Sequence, residues 1–204
     1  MADKEHKERR YSFEGSDSLL RWWQAMTLPP AELEALKLKP APTLYRAELK
    51  RAEGPEGALL TQGFRALWLK LPERARNRAS WSPLAWATIA ASLSHVRQLP
   101  AESPEQSFAT SLGRIDPKTD KPRVSELRFQ QLQNARSPED FFRRLRRLVK
   151  LLGGSCNPQS LAADTLSWFA EHHQLSPRRA DKRIALRWAM DYYQAADKAA
   201  SKDN

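Results

Sequence analysis

The run SPEDFFRRLRRLVKLL, residues 137–152, reads as a helix from its first residue to its last. Ser137 can accept a hydrogen bond from an orphan N–H of the first turn, while Pro138 needs no N–H and already has a helical φ. Glu139 and Asp140 sit in the first turn, where the helix dipole favours acids. Phe141, Leu145, Leu148 and Leu152 then fall on one stripe, widened by Phe142 and Val149. The same pair of capping residue and proline recurs at Ser82-Pro83, Ser103-Pro104, Asn157-Pro158 and Ser176-Pro177, each ahead of an amphipathic run. Only 7 glycines stand against 14 prolines, too few for the turns of an all-β chain. The fold class predicted is all-α.

Outward from that run, helices are expected at 16–26, from 30 to about 38, from 42 to about 52, over 56–71, over 83–99 and from 104 to 113. In the 56–71 helix, Leu60, Phe64, Leu67, Trp68 and Leu71 are placed inward. A basic linker, ERARNRAS (73–80), precedes the most apolar helix. After Gly113 comes a polar, proline-containing loop, residues 114–123, the best position for a lobe boundary or a mobile functional loop. Further helices are expected at about 124–135, 138–152, 158–173 and 177–196. The organisation expected is an N-terminal helical lobe over 16–113, a basic loop over 114–123 and a C-terminal helical lobe over 124–196. Flexible tails are expected at 1–15 and 197–204.

The 204 residues are 41% apolar, enough for a real core. The single cysteine, Cys156, excludes an intramolecular disulfide framework and any Cys-based metal cluster. MADKEHKERR is followed by no apolar segment, so no signal peptide is visible. The longest apolar stretch, Trp81 to Leu93, is too short and too polar to span a bilayer. A cytoplasmic protein with no membrane contact is expected.

Lys plus Arg is 34 and Asp plus Glu is 24, a formal net charge of +10. Residues 111–204 hold 18 of the basic and 11 of the acidic side chains, so most of the excess lies there. In the 138–152 helix Arg143, Arg146, Arg147 and Lys150 share the face opposite the apolar stripe. Four cations at that spacing repel one another, and a polyanion along the stripe would relieve this and release counterions. Arg114, Lys118, Lys121, Arg123 and Arg128 lie just upstream, and Arg46, Lys50 and Arg51 form a second cluster. A solvated face paired with acids elsewhere is the ordinary reading of such a stripe. Three basic segments together favour phosphate contact instead. No zinc-finger spacing or RNA-recognition signature is present, so backbone binding by charge is expected rather than base readout.

The residues offer little to catalysis. His6 is in the N-terminal tail, and His95 lies near the end of the apolar helix, where a packed or capping role is commoner than a base. Glu171-His172-His173 invites a metal reading, but adjacent side chains point about 100° apart and a histidine at a helix C-terminus suits the dipole. No glycine-rich phosphate loop and no GxSxG are present. A non-enzyme without cofactor or metal is expected. Trp22, Trp23, Trp68, Trp86, Trp168 and Trp188 fall on apolar stripes and are expected in the core. Adjacent Trp22 and Trp23 cannot both face inward fully, so one is a candidate partner contact or base-stacking surface, as is Trp81.

The run SFATSLGR (107–114), a variable loop, and RVSELRFQQLQNARSPEDFFRRLRRLVKLL (123–152) resemble the centre of the CasB family, the small subunit of the type I-E CRISPR surveillance complex Cascade. LLRWWQAM (19–26), YRAELKRA (45–52), SLAADTLSWF (160–169) and ALRWAMDYYQAA (185–196) are similar in kind and order, so the resemblance covers about residues 16–196. It implies two small helical bundles and a non-catalytic role. It also implies two copies head to tail, packed on the backbone and large subunits near the guide RNA–target DNA hybrid. There they help hold the displaced non-target strand in a basic groove. The family's basic positions match Lys50 and Arg51, then Arg114, then Arg123 and Arg128. Its arginine pair in the next helix matches the RRLRR run, with Arg143, Arg144, Arg146 and Arg147 all eligible. The longer N-terminus and the ERARNRAS segment depart from the pattern. The candidate nucleic-acid contacts are therefore Arg46, Lys50, Arg51, Arg114, Arg123, Arg128, Arg143, Arg146, Arg147 and Lys150. The rival reading is a basic helical adaptor that binds acidic protein surfaces.

Overall fold

The computed structural model describes residues 11–200, with side chains described as far as Asp197. In chain order it forms α1 (Ser16–Thr27), α2 (Pro30–Ala35), α3 (Thr43–Arg51), α4 (Pro55–Leu59), α5 (Gln62–Trp68), α6 (Glu73–Arg76), α7 (Ser82–Leu93) and α8 (Phe108–Gly113). A short antiparallel hairpin follows, β1 (Ile115–Asp116) with β2 (Lys121–Pro122), pairing Ile115 with Pro122 and Asp116 with Lys121. Then come α9 (Glu126–Gln133), α10 (Pro138–Leu151), α11 (Pro158–His172), a 3-10 turn at Ala180–Lys182 and α12 (Ile184–Ala200). The fold is all-α apart from that hairpin.

Every residue of α7 from Ala85 to Leu93 is buried. A helix apolar on all sides has to be surrounded, and α3, α4, α5, α6, α10 and α11 pack around it. The core of α7, with Trp86, Ile89 and Leu93 withdrawn from water, contributes roughly 2 kcal/mol per large side chain. On the far side α12 lies chiefly along α8, with α11 and β1 as further neighbours. Gly113 makes this approach possible: a Cβ there would stand 2.2 Å from the Tyr192 carbonyl oxygen. The buried side chains form one cluster drawn from both sides of residues 114–123.

Two of the five capping pairs act as read. Ser137 Oγ accepts from Asp140 N–H at 3.2 Å, and Asn157 Oδ1 accepts from Ser160 N–H at 2.9 Å. Ser82 instead lies inside α7 and accepts from the N–H of Ala79 at 3.0 Å. Ser103 begins a turn, and α8 starts only after Ser107, whose Oγ accepts from Thr110 N–H at 3.0 Å. The segment after Ser176-Pro177 makes the 3-10 turn first, so its helix begins at Ile184 rather than at 177 and runs on to Ala200.

The helix expected over 56–71 is two helices. Thr61 separates them: its Oγ1 donates to the Ala58 carbonyl at 2.8 Å and accepts from Phe64 N–H at 3.1 Å, ending α4 and capping α5. The break turns Leu60 outward, 82% exposed, while Phe64, Leu67 and Leu71 are buried as expected and Trp68 is half-buried. The apolar helix ends at Leu93 instead of 99, because residues 95–98 turn away to meet the segment after α10. ERARNRAS is not an open linker; α6 forms there and buries Ala75. The 114–123 loop is ordered as the hairpin, with Asp116 Oδ1 accepting from Lys118 N–H at 2.9 Å across its turn. Of the expected tail 1–15, residues 1–10 lie outside the described residues, and Phe13 packs against Trp86.

Trp22 and Trp23 both face inward, each 2% exposed. They diverge to two partners: Trp22 Nε1 donates to Gly63 O at 3.1 Å and Trp23 Nε1 to Val96 O at 3.3 Å. Trp81 is likewise buried and stacks on Phe169 and His173. None of the three offers a stacking surface to a base.

Candidate nucleic-acid interface

The cations of α10 fall into two groups set by what lies beside the helix. At about 100° per residue, Arg143, Arg146, Arg147 and Lys150 span an arc of roughly 100°. Arg143, Arg147 and Lys150 are exposed and Arg146 is half-buried. On the α9 side, Arg143 and Arg147 join Arg128 and Arg144 around a shallow open depression of about 410 Å³, with Asp140 and Gln131 at its edge. Arg144 is occupied there: its Nε donates to Asp140 at 2.7 Å and its Nη1 to Gln131 O at 2.8 Å. Arg144 holds the Asp140 carboxyl below the usual range, against the opposing effect of burial. Arg143 reaches the same carboxylate only at 3.5 Å. Arg128, Arg147 and Lys150 have no ion pair among the described residues.

On the α3 side the geometry is different. Arg46 donates from Nε to Ser94 O at 2.8 Å and from Nη2 to Val96 O at 3.3 Å. Arg146 donates to Lys50 O at 2.6 Å and to Ala52 O, closing the C-terminal end of α3. Its guanidinium also lies 3.1 Å from His95 Nε2 and 4.8 Å from the centre of the Phe142 ring. Burial, then the charges of Arg146, Lys150, Lys50 and Arg46, push the His95 imidazole down to about 4, so it is neutral at pH 7. Burial lowers Lys50 as well, followed by repulsion from Arg46, Arg97 and Lys150. Arg97, which sequence reasoning missed, therefore belongs to this cluster. Its only signal is a position at the end of the apolar run, hidden while that run reads as continuous helix.

At the hairpin, Arg123 Nη2 meets Glu102 Oε1 at 2.7 Å and Arg114 Nη1 lies 3.9 Å from Glu102 Oε2. Both arginines share one carboxylate from the segment before α8. Arg51 is exposed, its Nε donating to Ala47 O at 3.3 Å. The structure thus brings Arg128, Arg143 and Arg147 together, and Arg46, Lys50, Arg146 and Lys150 together. Arg114 and Arg123 stay with Glu102.

The residues weighed for chemistry are placed elsewhere. Cys156 is buried, and burial pushes its thiol up to about 12. His172 stacks on Trp168 and His173 on Trp81. Among the described residues no three His, Cys, Asp or Glu side chains gather where a metal ion could sit.

A family described as CRISPR-associated protein Cse2 matches residues 45–193. The chain belongs to the Cse2 family. This is the CasB family of the sequence resemblance, and it makes the chain a subunit of CRISPR Cascade. The Cse2 match begins in α3 and ends in α12, so it contains every candidate cation from Arg46 to Lys150 and leaves α1 and α2 outside. Comparison with curated proteins and with solved structures found no match. No helix among the described residues of this Cse2 chain is long and apolar enough to cross a membrane.

Proposed function

We propose that this chain is the non-catalytic small subunit of type I-E Cascade in the cytoplasm. Its charge holds nucleic-acid backbone without reading sequence, and so stabilises the R-loop formed by guide RNA and target DNA. The single observation behind this is the open face of α10 and α9. There Arg128 and Arg147 stand exposed with no carboxylate partner among the described residues. Such cations gain most from phosphates, which release condensed counterions on contact. Because the exchange of a DNA duplex for an RNA–DNA hybrid is nearly balanced, a modest hold on the displaced strand shifts it. The partners of this reading are guide RNA, the target and non-target DNA strands, the backbone and large subunits, and a second copy of the chain.

The test is single-stranded DNA binding by the purified protein across a salt series, with two unrelated sequences. A linear fall of log affinity with log salt, equal for both, is expected, at about 0.7 per phosphate engaged. The double variant Arg128→Ala/Arg147→Ala should keep its melting temperature and flatten that slope by about 1.4. In reconstituted Cascade, reversing both charges should shorten R-loop lifetime. Unchanged target binding there, with an unchanged slope, would remove the assignment in favour of contacts to acidic protein surfaces.

A further inference from the structure

An open groove of about 790 Å³ lies between α1, α2, residues 97–105 and the start of α11. That is the size of a ligand or peptide cleft. Trp23 of α1 lines it, together with two leucines that water reaches, Leu36 at 43% exposed and Leu99 at 39%. Gln24, Glu32, Gln98 and Glu105 line the same groove, and their side chains have no hydrogen bond or ion pair among the described residues. Glu32 and Glu105 are exposed carboxylates left unpaired on a chain of net charge +10. Arg97 also lines the groove, at the edge where its charge acts on Lys50 and Arg46.

The walls are fixed by bonds outside the groove's own free groups. Trp23 Nε1 donates to Val96 O at 3.3 Å and Gln159 Nε2 to Ser16 Oγ at 2.7 Å, tying α1 to the residues after α7 and to α11. Asn157 Nδ2 donates to Pro104 O at 2.8 Å, which holds the segment carrying Glu105 against the start of α11. Leu33, 2% exposed, anchors α2 and leaves Glu32 and Leu36 on its open side. Walls ordered in advance spare an incoming ligand the cost of ordering them. Because α1 and α2 precede residue 45, where the Cse2 match begins, part of the groove is built outside the matched region.

We propose that this groove takes an extended segment of a partner protein in which apolar side chains alternate with Lys or Arg. The apolar side chains cover Leu36 and Leu99, and the cations meet Glu32 and Glu105. Gln24 and Gln98, whose amides both donate and accept, pair with the backbone of the segment. Charge selects the class of partner. Two unpaired carboxylates repel a phosphodiester and an acidic peptide alike. The +10 of the whole chain repels a basic peptide at long range, so a preference for one comes only from these local acids. The groove is separate from the nucleic-acid face, and neither reading needs the other.

The experiment uses the full chain and three fluorescein-labelled nonapeptides: leucine alternating with lysine, leucine with glutamate, and serine with lysine. The leucine–lysine peptide should bind, and the other two should bind at least about 10-fold more weakly. Glu32→Lys/Glu105→Lys should keep its melting temperature, lose about 10-fold for the leucine–lysine peptide and gain affinity for the leucine–glutamate peptide. Leu36→Ser should weaken the leucine–lysine peptide about 5-fold, whereas Leu60→Ser, at an exposed leucine outside the groove, should change nothing. By NMR, the side-chain amides of Gln24 and Gln98 should shift as the peptide is added. In reconstituted Cascade, a benzophenone side chain in place of Leu36 should cross-link on illumination to a protein segment that sets Lys or Arg beside apolar residues. Three results would overturn the proposal. Wild type binds none of the peptides, or binds leucine–glutamate as tightly as leucine–lysine. The charge reversal and Leu36→Ser leave binding unchanged. The cross-link goes to nucleic acid or to an acidic segment.

Discussion

Two titratable groups, the half-buried His95 and the buried Asp164, carry opposite pH signatures. His95 is held near 4 against an ordinary 6.5, so below about pH 6.5 the unfolded chain takes up a proton that the folded chain refuses. Its contribution to stability is full above pH 6.5 and is lost as pH falls towards 4. Urea melts at pH 7 and pH 4.5 should show wild type losing ground on His95→Gln, which still offers Arg146 an acceptor, as pH drops. Asp164 behaves the other way. Burial raises it from 3.8 to about 6, although Arg187 at 2.6 Å and Trp188 at 2.8 Å favour the charged form. The unfolded chain releases that proton first, so the stabilisation is present below about pH 4 and lost as pH rises through 6. Relative to Asp164→Asn, wild type should be favoured by about 2 kcal/mol more at pH 4 than at pH 7. A third residue, Glu102, competes for Arg114 and Arg123. Glu102→Gln should tighten single-stranded DNA binding and steepen its salt slope by up to about 0.7, and an unchanged slope would mean that neither arginine meets phosphate.

At the scale of elements, the clearest signals were those whose partners are local. Ser137 and Asn157 bond to N–H groups three residues ahead, so the sequence window contains both donor and acceptor, and α10 and α11 could be read to within a residue. Thr61 was opaque because an apolar period runs through it, and only its bonds to Ala58 and Phe64 reveal the break. Removing that hydroxyl with Thr61→Ala should cost about 1 kcal/mol and lower the melting temperature by roughly 2–4 °C. A melt unchanged by the substitution would show that α4 and α5 are separated by packing alone. The basic stripe of α10 was visible for the same local reason. What Arg146 does with its charge was not, since the carbonyls of Lys50 and Ala52 come beside it only when α3 and α10 meet. Arg97 was hidden by the misplaced end of α7.

For the whole molecule, the contact between Gly113 and Tyr192 joins the middle of the chain to its last described helix. Gly113→Ala places a methyl group against a backbone carbonyl that cannot yield without moving α12. A loss of at least 2 kcal/mol and a drop of more than about 5 °C in melting temperature are expected. Nucleic-acid affinity per folded molecule should be unaffected, because α12 carries none of the ten candidate cations. The same contact sets the timing of biosynthesis. Translation delivers residues 184–200 after every other described element. Until then Phe129 lacks the Tyr192 ring that stacks on it at 4.2 Å, and Asp164 lacks Arg187 and Trp188. A nascent chain stalled before residue 184 therefore bares an apolar seam along α8, α9 and α11, the kind of surface that recruits chaperones and proteases. The subunit becomes competent in one late step, when α12 leaves the ribosome.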